Sequence, residues 1–421
     1  MVCSVTLLPM HFYGAKKMKT YYLSVADNKT SIKMDKLCLD TILLICENLS
    51  DADNISFAST STHFNVIQYN VRYYSEAHLS DVARYPYFNN FCNIIVSNVD
   101  QDYDVFVSGR VPTHMSRLRY DYSKSIVAIP TTVTHLTFGY YFNRAIKNCI
   151  PNSVTHLTFG SMFNQQITGC IPSSVRHLIF GRDFNQLLMH SIPDSVTHLS
   201  FGNKFDKSIK DQIPSSVTYL EFGDSFNWFI RDDIPLSVTQ LVFGSNFLHR
   251  PQDKIPESVT YLTCSGKFFA PVNQCIPPSI THLSFCDSFN SVIKYEIPTT
   301  VTHLIFGCKF NQEITGIVPK SVTHLSFGDW FNSSVKNNIP NSVTHLIFGS
   351  TFNCPLSHLP NSITHIVLGE RFSQFLHRLP KSVQNIYLHE SYNLKKLTNT
   401  SAKIVTYSYP KLRTWDDVAN I

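Results

Sequence analysis

Charge is the first thing this sequence lacks. Only 15% of its 421 residues are Asp, Glu, Lys or Arg, against roughly 25% in ordinary soluble domains, so its polarity rests on Ser, Thr and Asn. The net charge of +5 is small for this length, and the one tight basic cluster, Lys16, Lys17 and Lys19, has no aromatic residues interleaved. Nucleic acid is therefore not an expected partner. Long hydrophobic runs are missing too: Thr41 to Cys46 is the longest, far short of the ~20 residues that a membrane helix needs. Lys16 and Lys17 follow the short apolar start instead of preceding it, so neither a secretory signal nor a membrane partner is expected. The 11 cysteines form no C-x-x-C pair and no zinc-type spacing, which suits reduced thiols in an intracellular chain. Nor is there a G-x-G-x-x-G, G-K-[ST], H-E-x-x-H or G-x-S-x-G string. No catalytic residue, metal or cofactor is expected, and the chain reads as a non-enzyme. At 43% hydrophobic, disorder is excluded.

What is present is a repeat. Prolines stand at 130, 151, 172, 193, 214, 235, 256, 277, 298, 319 and 340, each 21 residues after the last, and Pro360 and Pro380 follow at 20. Around each lies the pattern I-P-x-S-V-T-H-L-x-F-G-x-x-F-N-x-x-I, nearly complete in residues 150–167 and 339–356. Counting from the proline, the second residue is Ser or Thr, the third Val or Ile and the sixth Leu or Ile in all 13 copies, while the twelfth is Phe in 12, Tyr392 being the exception. A 21-residue unit cannot bury its own apolar face, so it must stack on its neighbours. Val133, Leu136 and Phe138 follow the L-x-x-L-x-L rhythm of leucine-rich repeats. In that rhythm Leu136 and Phe138 point inward from a short strand while His135 and Thr137 point out. Pro130, Gly139 and Phe142-Asn143 mark the turns, glycine supplying unusual backbone angles and asparagine bonding the backbone of adjacent rungs. So few residues remain for the return path that extended or polyproline-like backbone is expected there, not helix.

These units resemble FNIP repeats, relatives of leucine-rich repeats named for a Phe-Asn-x-x-Ile-Pro string; Phe163-Asn164, Phe289-Asn290 and Phe310-Asn311 carry it, with extra residues before the next Ile-Pro. The resemblance covers residues 129–396. Upstream, Leu39, Ile42, Leu43, Ile45, Cys46 and Leu49 fall at helical spacing between Asp35 and Ser50, and Asp53 is placed to cap a second helix. This stretch resembles an F-box, the motif by which substrate receptors attach to the adaptor of cullin-based ubiquitin ligases. Leu37, Ile42, Ile45, Leu49, Asp53, Ile55, Phe57 and Phe64 match its landmarks, and Cys38 stands where the motif has proline. The combination is similar to F-box and FNIP repeat proteins of giant amoeba viruses of the mimivirus type and of social amoebae.

The expected fold is therefore α+β: a small N-terminal helical F-box-like segment, then a leucine-rich-repeat-like parallel β-solenoid of about 13 rungs. Its segments are an N-terminal extension at 1–34 (Met34 being a candidate alternative start), the F-box-like segment at 35–75, and a connector with degenerate first rungs at 76–128. The solenoid follows at 129–396 and a C-terminal cap at 397–421. The resemblance implies a substrate-recognition subunit in the host cytoplasm, with Leu37, Ile42, Ile45, Leu49, Ile55, Phe57 and Phe64 on the host's cullin adaptor and the strand face on a target protein. The competing reading makes residues 35–75 only a solenoid cap, and the whole a repeat scaffold with no ubiquitin role.

Half of the 18 histidines form one column: His135, His156, His177, His198, His282, His303, His324, His345 and His365. Metal binding or pH sensing is one reading and a packing ladder the other, favoured because no Cys or carboxylate completes a ligand set. Three central rungs break the column with Tyr219, Gln240 and Tyr261, beside the outward Glu221, Val242 and Thr263. Nearby, Leu248 and Phe269 replace the Asn, and Cys264 an inward Phe. These six outward residues are the candidate target-binding face, set against drift in a dispensable rung. Cys149, Cys170 and Cys275 share another column and are read as thiols, since in-register parallel neighbours rarely have disulfide geometry.

Overall fold

A computed structural model describes residues 50–51, 71–97, 100–109, 111–121, 129–247, 254–264, 276–293, 297–397 and 402–408. Leu37, Ile42, Ile45, Leu49, Ile55, Phe57 and Phe64 lie outside the described residues, as do Cys275, Leu248 and Phe269. The chain divides into two compact units, residues 1–122 with 130–136, and residues 123–129 with 137–421.

The first unit already contains parallel strands. β1 (Ala77–His78), β2 (Asn93–Val96) and β3 (Arg117–Tyr120) pair side by side, with Ala77 opposite Ile94 and Asn93 opposite Arg117. Leu118 and Tyr120 are buried between exposed Arg117 and Arg119, the period-two alternation of a strand with one face on a core. The returns here are longer and hold helices, α1 (Leu79–Val82) and α2 (Asp100–Val107). Asp102 ties them down. Its buried carboxylate accepts from the Ser80 amide at 2.7 Å and from the Ser97 amide and hydroxyl at 2.9 and 2.6 Å. Burial pushes this carboxyl up, but those hydrogen bonds outweigh it and hold the group below the usual carboxylate range.

The second unit is the repeat array. β4 (His135–Phe138) spans the division. Then follow β5 (His156–Thr158), β6 (His177–Ile179), β7 (His198–Ser200), β8 (Tyr219–Glu221), β9 (Gln240–Val242), β10 (Tyr261–Cys264) and β11 (His282–Phe285). The series ends with β12 (His303–Ile305), β13 (His324–Ser326), β14 (His345–Ile347), β15 (His365–Leu368), β16 (Asn385–His389) and β17 (Lys403–Tyr407). From β5 to β16 each strand pairs parallel with the next at the repeat offset, so like residues stand opposite like: His156, His177 and His198; Leu157, Leu178 and Leu199; β17 adds in parallel to β16, with Lys403 opposite Asn385. This is a parallel β-solenoid.

Each rung sends six apolar side chains inward; Ile150, Val154, Leu157, Phe159, Phe163 and Ile167 are all buried, and the set recurs along the array. Two phenylalanine columns dominate. Within a rung the two rings stack at 3.8–4.4 Å. Between rungs the Phe159 column repeats at 5.4–5.7 Å and the Phe163 column at 5.8–6.2 Å. Asparagine does what the sequence implied: the side-chain oxygens of Asn143, Asn164 and Asn185 each accept from the backbone N–H of the next rung's equivalent residue at 2.9–3.0 Å. A serine ladder parallels it, Ser174, Ser195 and Ser216 each donating to the preceding rung's valine carbonyl at 2.7 Å.

The role expected of the column glycine needs correction. Gly160, Gly181 and Gly202 are not in the left-handed region; a Cβ on any of them would lie 1.8–1.9 Å from the carbonyl oxygen of the glycine one rung earlier. Close approach of backbones requires glycine there, not unusual torsion. The unusual torsion sits elsewhere, at the turn before seven of the repeat prolines, where Asn148, Gly169, His190, Asp211, Gly316, Asn337 and His358 have φ between 55° and 72°.

Candidate functional site

The strand face carries two outward columns, one of His and one of small or apolar residues. The imidazoles stack at 4.0–4.4 Å. Their orientation comes from the preceding threonine: in eight rungs Thr Oγ1 lies 2.8–2.9 Å from His Nδ1. At His365 the tautomer follows from the network. The Asn385 side-chain amide donates to Nε2 at 2.8 Å, so Nδ1 carries the hydrogen and donates to Thr364 Oγ1. The threonine hydroxyl then donates to the Thr344 carbonyl at 3.1 Å. The rings are held as a ladder. Burial, then the neighbouring imidazoles, pull His324 and His345 down to about 4, and the same causes lower His177. Among the described residues no three His, Cys, Asp or Glu side chains are grouped to hold a metal.

The six residues singled out by the break in this column form one patch. Tyr219, Gln240 and Tyr261 are consecutive register partners, and so are Glu221, Val242 and Thr263. Gln240 is exposed and Tyr261 is 44% exposed, whereas Tyr219 and Glu221 are half-buried. Tyr219 donates its hydroxyl to Glu221 Oε2 at 3.1 Å, and Ser200 Oγ donates to the same oxygen at 2.8 Å. Burial, with the Glu221 charge behind it, pushes the Tyr219 phenol up to about 12, so it stays a donor. On the other side Tyr261 stacks on His282 at 3.9 Å and rejoins the ladder. Cys264 is buried in the phenylalanine column behind the patch, and Cys149 and Cys170 are partly buried free thiols, raised by burial.

Sequence reasoning missed what adjoins the patch. A groove of about 440 Å³ opens on the strand face of β10 to β13, lined by Tyr261, Thr263, His282, Ser284, His303, Ile305, His324 and Ser326, with the leucines of β10 to β12 at its base. Its signal was present in the small side chains Thr263, Ser284 and Ser326 on either side of Ile305. Toward the C-terminal end the same column fills up: Ile347 and Val367 are fully buried under Tyr387 and Tyr407, and the Tyr407 hydroxyl donates to the Leu368 carbonyl at 3.2 Å.

The fold and this face define a leucine-rich-repeat-like solenoid presenting a parallel strand surface. The FNIP Repeat family model matches residues 122–162, 163–204, 205–246, 272–309, 290–330, 310–351, 331–370 and 352–391, and the chain belongs to that family. No curated protein matches it. Among solved structures it is similar to CroV588, described as a novel circular LRR protein, with 24% identity over 80% of this chain and 72% of that one and a TM-score of 0.36. It is also similar to YopM from Yersinia enterocolitica WA-314, with 14% identity over 66% and 74% and a TM-score of 0.36. Among the described residues no helix is long and apolar enough to cross a membrane.

Proposed function

We propose that this chain is the non-catalytic substrate-recognition subunit of a cullin-based, SCF-type ubiquitin ligase acting in the cytoplasm of an amoebal host, as the resemblance to giant-virus F-box and FNIP repeat proteins implies. The strand face holds a target protein and residues 35–75 hold the host's adaptor. The observation that carries the recognition half is the in-register patch of Tyr219, Gln240 and Tyr261 beside Glu221, Val242 and Thr263. It interrupts an otherwise uniform ladder with exposed aromatic and amide groups, and it runs into a groove. Central aromatic anchors beside a concavity are what protein recognition uses. The delivery half is supported by the apolar spacing of Leu37, Ile42, Ile45, Leu49, Ile55, Phe57 and Phe64.

The test uses the full chain as bait for the purified cullin-ligase adaptor of an amoebal host, with the Ile45→Glu, Leu49→Glu double variant as control. Capture by the parent and loss in a variant with an unchanged far-UV spectrum are expected. Failure of the folded parent to capture adaptor removes the ubiquitin role and leaves a repeat scaffold.

A further inference from the structure

Of the side chains in the two outward columns from β4 to β16, Glu221 alone carries a formal charge; every other position is His, Tyr, Gln, Asn, Thr, Ser, Ile or Val. Its carboxylate is held, not loose. Both hydrogen bonds it accepts, from Tyr219 and Ser200, fall on Oε2; Oε1 receives none from the described residues, and Glu221 makes no ion pair among them. A partner laid over this face would strip water from Oε1, and a carboxylate desolvated without a counter-charge is strongly unfavourable. The surroundings fit a cation with an aliphatic stem. Val242 is the register neighbour of Glu221, and the half-exposed ring of Tyr261 stands two strands from Tyr219. A lysine or arginine side chain can lay its methylenes on Val242 and bring its charge to Oε1 of Glu221, which leaves the Tyr261 ring to the next part of the partner.

Resting on the reading that the strand face is the recognition surface, we infer that Glu221 accepts a lysine or arginine side chain from an extended segment of the partner protein, whose apolar side chain fills the groove at β10 to β13. Spacing sets the register. At about 4.8 Å per strand, Tyr261 lies about 10 Å and Ile305 about 19 Å along the sheet from Glu221, and extended chain advances about 3.3 Å per residue. The basic and apolar residues are therefore about three to six positions apart in the partner.

The experiment is selection of a displayed library of random linear 12-residue peptides on the full chain, in parallel with Glu221→Gln, Glu221→Lys and Tyr261→Ala, each matched to the parent by far-UV spectrum. Peptides enriched on the parent should pair Lys or Arg with Leu, Ile or Phe at that spacing. As synthetic peptides they should bind Glu221→Gln at least tenfold more weakly, and Glu221→Lys should select Asp or Glu instead. Peptides with no basic preference, or equal binding to Glu221→Gln, overturn the inference; if those peptides still fail on Tyr261→Ala, the recognition face itself stands. Peptides indifferent to both changes, or no enrichment at all, overturn the inference and the recognition face together.

Discussion

Acidification should destabilise this protein, and the histidine ladder is the reason. His324 and His345 sit at about 4 in the folded chain, against about 6.5 for an exposed imidazole. A folded value below the unfolded one means that the unfolded chain binds more protons between the two, so stability falls as pH drops through that window. It is fully present above about pH 6.5, is lost progressively down to about pH 4, and levels off below. At face value each shift corresponds to roughly 3 kcal/mol at 1.36 kcal/mol per pH unit. Both rings are half-buried, so solvent screening brings this to about 1–2 kcal/mol each. His177 and His365 are lowered as well and act in the same sense. The groups facing His324 and His345 are other imidazoles, His303 and His365. The one carboxylate in the face columns, Glu221, is five strands from β13. Urea unfolding at pH 7, 6, 5 and 4 should show a loss of about 2–4 kcal/mol, and the His324→Gln, His345→Gln double variant should flatten most of it. A double variant with the parent's pH slope, or a parent that gains stability on acidification, refutes the reasoning.

Three further outcomes follow from the columns. Phe205→Ala removes a fully buried ring that touches Phe201 at 4.0 Å and Phe184 and Phe226 at 6.2 Å; it should cost about 3–5 kcal/mol in denaturant unfolding. Gly202→Ala places a Cβ where only 1.8 Å separates it from the Gly181 carbonyl oxygen, so the rungs must part and the melting temperature should fall even though the change adds one methyl. Asn164→Ala leaves the Asn185 amide without its acceptor and removes one of the two acceptors of the Gln186 side chain, which keeps the Asn164 carbonyl at 3.1 Å. A loss of about 1–3 kcal/mol is expected, with faster hydrogen exchange at Asn185 than at Asn311, whose own acceptor is untouched.

The inward positions were legible because a strand of period two and a repeat of fixed length leave no choice of register: Leu157 and Phe159 must share a side, and their copies must stack. Three features escaped. The left-handed turn residues Asn148, Gly169, His190 and Asp211 share no side-chain chemistry, only tolerance of positive φ, so no consensus letter marks them. Degenerate first rungs were expected within residues 76–128, but β1 and β2 lack the Ile-Pro entry and the Phe-Asn exit, so their bounds and register appear only when the backbone is seen. The column glycine was noticed for the wrong reason, since a sequence shows that a side chain is missing but not whether torsion or a neighbour's carbonyl excludes it.

The same separation of columns explains how a recognition patch can arise here without loss of the fold. Tyr219 replaces His on the outer side of β8, yet Leu220 and Phe222 beside it remain fully buried and Phe222 keeps its neighbours at 5.7 Å on both sides. Outward residues contact the next rung's outward residues, and inward ones the core; the two sets meet only through the backbone. A change at an outward position is therefore felt by the rungs directly above and below it, as in the bond from Ser200 to Glu221. Where the phenylalanine column is interrupted at Cys264, the altered face coincides with an altered core. That rung is also where Tyr261 rejoins the histidine ladder and the groove begins, so the place where the array departs most from its own pattern, inside and out, is the edge of the proposed binding surface.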